Sequence, residues 1–190
     1  MIPEGCTAMN ASRTSAPARP RRLCAGGVAL LLWVASVLGA GLQQLPQQWR
    51  EDDGRSIELG SLAGRRLVLT MAYAGCHAIC PLTIGQMEKM QRRLDDRGEQ
   101  AEFVVIGYDP ENERPTDWHA FRTSRHLTRG NWHFLSGSRD DTEKLARLLG
   151  FDFWKYDEHV MHGARALVFD AHGSIQIELG PATKDWAATL

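Results

Sequence analysis

Two cysteines separated by three residues are the most chemically informative feature of this 190-residue chain. Cys76 and Cys80 bracket His77-Ala78-Ile79, and Pro81 follows at once. An apolar, β-rich run (Leu67–Tyr73) leads into them, and a segment with helical spacing (Pro81–Arg97) leads away. Pro81 suits the first turn of that helix, where its missing N–H is no loss. Cys80 then sits near the helix N-terminus and Cys76 in the loop feeding it. The positive end of the helix dipole favours thiolate, so both sulfurs are expected to be acidic and reactive. A dithiol redox motif usually has two intervening residues; three widen the loop and let both sulfurs face one ion. The plainer alternative is a structural disulfide, for which a strand-to-helix junction is an unusual place.

One of the seven histidines, His162, fits the same chemistry. It lies in Met161-His162-Gly163, just before the apolar run Ala166–Phe169. In a thioredoxin-like sheet this loop lies beside the dithiol and normally carries a cis-proline. Val160–Arg165 contains no proline, and an imidazole stands there instead. Two thiolates and one imidazole form a soft, three-ligand set suited to copper. Zinc would accept it with a fourth ligand, which His77 or His159 could supply. His119, His126, His133 and His172 are scattered among polar residues and read as surface or turn positions. The six tryptophans read as core and interface residues, and Cys6 and Cys24 as parts of a leader without a chemical role.

The elements that must position these groups follow from periodicity. Leu67–Tyr73, Phe103–Tyr108 and Trp132–Leu135 are short apolar runs of buried-strand type. Between them, Met87, Met90 and Leu94 share a helical face that Gly98 ends, and Pro115–Arg125 contains a second helix. Asp140–Leu149 is a third helix, with Gly150 as its cap. Ala166–Phe169 and Ile175–Leu179, split by Asp170-Ala171-His172-Gly173, read as a closing antiparallel hairpin. The expectation is an α/β domain, a central mixed sheet flanked by helices, in residues 57–190. A body of that size buries a core without disulfide staples, which leaves its cysteines available for chemistry.

Composition narrows the classes further. The formal charge is −1, yet residues 1–22 hold Arg13, Arg19, Arg21 and Arg22 against Glu4 alone. The rest is mildly acidic, with no electrostatic footprint for nucleic acid. Leu23–Leu42 carries no charge, and at 1.5 Å per residue it is about 30 Å long, enough to cross a bilayer. Behind the basic leader 1–22 it reads as a transmembrane anchor that sends the body out of the cytoplasm. Gly39-Ala40-Gly41 keeps a cleavable signal sequence open. Residues 43–56 are polar and turn-rich and read as a tether.

The run Met71-Ala72-Tyr73-Ala74-Gly75-Cys76-His77-Ala78-Ile79-Cys80-Pro81-Leu82, the helix bearing Met87-Glu88-Lys89-Met90, the step Tyr108-Asp109-Pro110 and the distal His162 together resemble the Sco/SenC copper-chaperone family. The resemblance spans roughly residues 45–190. It implies a thioredoxin-like domain, tethered by a single-pass helix to the bacterial inner membrane and facing the periplasm. It also implies copper held by Cys76, Cys80 and His162, for the copper site of cytochrome c oxidase or another copper chaperone. The chain departs from the family pattern at Met161, where an acidic residue is common, at His77, where proline is frequent, and in Glu111-Asn112-Glu113-Arg114-Pro115. Two further readings stay open. One is a thiol–disulfide oxidoreductase using Cys76 and Cys80 as its redox pair; the other is a peroxidase, although no Thr-x-x-Cys pattern precedes Cys76.

Overall fold

A computed structural model describes residues 41–76, 79–157 and 159–190. Seven strands form one sheet in the order β2-β1-β5-β4-β3-β8-β9, and β6 and β7 form a separate pair. The strands are β1 (Gln48–Glu51), β2 (Ser56–Glu58), β3 (Leu67–Ala72), β4 (Glu102–Gly107), β5 (Trp132–Ser136), β6 (Phe153–Tyr156), β7 (His159–His162), β8 (Ala166–Phe169) and β9 (Ile175–Leu179). Among the described residues three α-helices, α1 (Ile79–Asp96), α2 (Pro115–Ser124) and α3 (Arg139–Leu149), cover it. The expected mixed sheet flanked by helices is therefore present. β3, β4 and β5 run parallel, and β8 and β9 close one side antiparallel.

Every residue of β3 and β4 is buried, as strands covered on both faces must be. Alternation divides their side chains between two cores. Val68, Phe103, Val105, Trp132 and Phe134 pack under α1 (Ile84, Met87, Met90, Leu94) and Trp118 of α2. Leu67, Leu69, Met71, Val104 and Ile106 pack under Leu145, Ala146 and Leu149 of α3 and under Leu42, Leu45 and Leu59. The helix ends carry ordinary local signals. Ser138 accepts the Asp141 N–H at 3.1 Å to cap α3, and Gly150 closes it in the left-handed region at φ 67°.

Two sequence expectations are corrected, and a third falls largely outside the described residues. Residues 43–56 are not a tether: Leu45 and Trp49 are buried, and β1 pairs with both β2 and β5. Their alternation is too short and too polar to stand out in sequence, but the alternate residues Trp49 and Glu51 are buried. The loop expected around His162 is instead a hairpin, β6–β7, in register from Phe153↔His162 to Tyr156↔His159. The expected anchor falls mostly on residues 23–40, outside the described residues, whereas its last residue, Leu42, is buried and donates its N–H to Gly173 O at 2.8 Å. Among the described residues no helix is long and apolar enough to cross a membrane.

Candidate metal centre

β3 ends at Ala72, and the chain turns tightly, Cys76 N donating to Tyr73 O at 3.0 Å. Cys76 is half-buried at the end of this turn, and Cys80 is fully buried as the second residue of α1. The N-terminal N–H groups of a helix lack partners within it, and here a sulfur supplies one. Cys80 N donates to Cys76 Sγ at 3.4 Å, while Tyr73 N donates to Cys80 Sγ at 3.3 Å. The two cysteines are not joined in a disulfide. The acidity expected of Cys80 is not found. Burial pushes the Cys80 thiol well above its ordinary range, and the Tyr73 N–H offsets this only in part. Desolvation of a charged sulfur outweighs its place at a helix start.

His162, at the end of β7, reaches the same point from across the fold. Its Nε2 stands 3.1 Å from Cys80 Sγ, and its Nδ1 stands 3.0 Å from Gly163 O. A carbonyl oxygen can only accept, so Nδ1 carries the proton and the Nε2 lone pair faces the sulfur. Burial lowers the pKa of this imidazole, which keeps it neutral, the form that ligates metals. The ring lies against Tyr108, centroids 4.7 Å apart, and Tyr108 in turn against Phe153 at 4.8 Å. This stack fixes the ring plane, as the Gly163 bond fixes the tautomer.

The donor atoms of Cys76, Cys80 and His162 all lie within 4.8 Å of one another. Metal–sulfur and metal–nitrogen bonds of about 2.3 and 2.0 Å place donors on one ion roughly 3–4 Å apart, so a shared ion needs a closure of about 1 Å. The structure thus brings together the three residues singled out in sequence. His77 lies outside the described residues, as does the side chain of His159. His119 and His172 are exposed, and His126 is a turn residue at φ 57°. His133 is not a surface residue. It is largely buried between Glu51 (Nδ1–Oε1 2.6 Å) and Glu102 (Nε2–Oε2 3.1 Å).

Comparison with known proteins settles the family, since the SCO1/SenC profile matches residues 44–188. The chain belongs to the SCO1/SenC family. It is 28% identical over 102 residues to the SCO1 homolog of Bacillus subtilis (strain 168), 53% of each chain, so it spans about half the length of that relative. Its fold is similar to that of Arabidopsis thaliana ScoI with copper bound (TM-score 0.66, 18% identity, 77% of this chain and 90% of that one). It is also similar to BsSco, described as a member of the Sco family of cytochrome c oxidase assembly proteins with a disulfide switch (TM-score 0.70, 21% identity, 80% and 90% coverage).

One group in this SCO1/SenC chain has no signal in its sequence. Glu113, in the turn between β4 and α2, is 4% exposed. Its Oε1 accepts the Ala74 N–H and its Oε2 accepts the Asp109 N–H at 2.9 Å. Burial raises its pKa to about 7 despite these two bonds, with Asp109 and Asp117 adding to the rise. From the same turn, Asp109 Oδ1 meets Lys155 Nζ of β6 at 3.1 Å. The turn therefore touches both the cysteine loop and the hairpin that carries His162.

Proposed function

We propose that this protein binds one copper ion per chain through Cys76, Cys80 and His162 and delivers it to the copper site of cytochrome c oxidase, or to another copper chaperone. In this reading it is a carrier on a thioredoxin-like domain, tethered by the uncharged run before Leu42 to the bacterial inner membrane with the domain in the periplasm. The observation that carries the reading is the convergence of two sulfurs and one Nε2 lone pair within 4.8 Å, with the imidazole tautomer set by Gly163. Two thiolates satisfy copper(I), and the added imidazole provides for copper(II), so the set suits an ion handled in both states. Family membership and the copper-bound Arabidopsis relative point the same way. The test titrates the reduced protein with each ion. His162→Ala should weaken copper(II) by at least about tenfold, and copper(I) less. Equal retention of both ions by the variant would remove His162 from the site. Oxidation to a Cys76–Cys80 disulfide consumes both thiolates and should abolish binding.

A second reading, a thiol–disulfide oxidoreductase acting on cysteines of an exported partner, is favoured by one observation. Cys76 is partly exposed while Cys80 is fully buried, the asymmetry of an attacking thiol and a resolving thiol. A reductase needs only the sulfurs. Wild-type oxidase levels in cells carrying His162→Ala, with failure in Cys76→Ser, would select this reading; comparable loss in both, partly restored by added copper, would select the carrier.

A further inference from the structure

A carboxyl group buried without a cation is costly unless other donors hold it, and such groups are kept where their geometry is used. Among the described residues Glu113 is such a group. The charged neighbours that act on it, Asp109 and Asp117, are both acidic, and its two oxygens are held by the backbone N–H groups of Ala74 and Asp109. The packing around it is closed. A Cβ added at Gly107 would lie 2.9 Å from Glu113 Oε2 and 3.1 Å from Trp118 Nε1, so only glycine leaves room for the carboxyl beside β4.

The position of its first partner gives the carboxyl a role. Ala74 is next to Tyr73, whose N–H meets Cys80 Sγ, and lies two residues before Cys76. The carboxyl therefore fixes the chain where β3 gives way to the loop that sets the distance between the two sulfurs. We propose that Glu113 is a positioning residue of the metal centre, its carboxyl tying the Tyr73–Cys76 loop to the Asp109–Arg114 turn and so setting how Cys76 meets Cys80 and His162. The proposal rests on the metal-site reading above. It assigns Glu113 no contact with the metal.

The test compares the full-length protein with Glu113→Gln and Gly107→Ala. The first keeps the size of the side chain but turns an amide NH₂ towards one of the two N–H donors. The second keeps the carboxyl and displaces it. Each is measured for copper(II) affinity, the copper(II)–thiolate charge-transfer band and electron paramagnetic resonance spectrum, the midpoint potential of the metal-free Cys76/Cys80 couple, and hydrogen exchange at the Ala74 amide. We expect Ala74 exchange to accelerate at least about tenfold and copper(II) affinity to fall about tenfold, with the spectra and the dithiol potential both displaced. A purely structural Glu113 would lower the melting temperature and leave the folded variant with parental spectra and potential, which would overturn the proposal. If Glu113→Gln fails to fold, Gly107→Ala decides by the same criteria. If the parent itself shows no copper–thiolate band, the metal reading fails. The potential and the exchange rate, which need no metal, still decide Glu113: displaced values support its hold on the loop, and parental values overturn it.

Discussion

The chemistry of individual side chains here is set by what each one loses on leaving water. His162 stays neutral because it is buried, and Gly163 O decides which nitrogen is left to bind. Cys80 is held as a thiol for the same reason, so metal binding at this site must displace a proton from sulfur. Glu113 gives the clearest consequence for pH. Its pKa rises from an ordinary 4.5 to about 7, so the folded protein holds its proton where the unfolded chain has lost it. Stability from this group is complete below pH 4.5, falls as pH rises through the interval to about 7, and is flat above it. The full displacement corresponds to roughly 3 kcal/mol as an upper figure. Urea unfolding at several pH values should show the parent losing stability across this window relative to Glu113→Gln, which has no proton to release; parallel pH profiles would refute the assignment. Cys76, Cys80 and His162 were legible in sequence because their types and spacing are rare together. Glu113 was not, since Glu111-Asn112-Glu113-Arg114 reads as a solvated charged turn and only the tertiary fold buries one of its carboxylates.

At the scale of elements, what sequence reveals depends on how much of an element is buried. β3, β4 and β8 are buried throughout and announce themselves as apolar runs, and α3 carries Ser138 and Gly150 at its two ends. β6 and β7 do not: the consecutive residues Trp154, Lys155 and Tyr156 are exposed, so β6 is solvated on both faces and has no hydrophobic run to display. β1 gives no such signal because its burial rests chiefly on one residue. Trp49 is 3% exposed, donates its indole N–H to Pro46 O at 2.8 Å, and lies over Gly137, whose missing Cβ makes the space. Trp49→Ala should therefore cost about 3–5 kcal/mol in a denaturant melt, the usual price of an emptied aromatic site. The cost should fall on stability alone, since Trp49 belongs to the strand beside β5 and not to the cysteine loop. A melt unchanged within about 1 kcal/mol would mean that residues 43–56 are, after all, dispensable to the fold. Just beyond β5, next to Gly137, Ser138→Ala should cost about 1 kcal/mol through loss of the α3 cap, measured in the same way.

For the whole molecule, the question is where the donor atoms stand relative to the place where the chain joins the fold. Leu42 is pinned to Gly173 in the turn between β8 and β9, and that turn lies beside the start of β3, where Phe169 pairs with Leu67. Cys76 lies beyond the other end of β3. Six residues of strand separate the two ends, about 20 Å at 3.3 Å per residue. The donors thus sit at one pole of the domain and Leu42 at the other. Leu42 is the first buried residue among the described ones. The proposed topology makes a labelling prediction. In spheroplasts, a membrane-impermeant maleimide should modify Cys76, which is partly exposed, without lysis, whereas Cys6 in the basic leader should react only once the membrane is broken. The protein should sediment with membranes and retain residues before Leu42. Protection of Cys76 until lysis would place the domain in the cytoplasm and end the periplasmic reading, and a soluble product beginning near Gly41 would end the anchor while leaving the metal site where it is. The experiment separates these because the leader thiol and the site thiol report on opposite sides of the same span, in one chain and with one reagent.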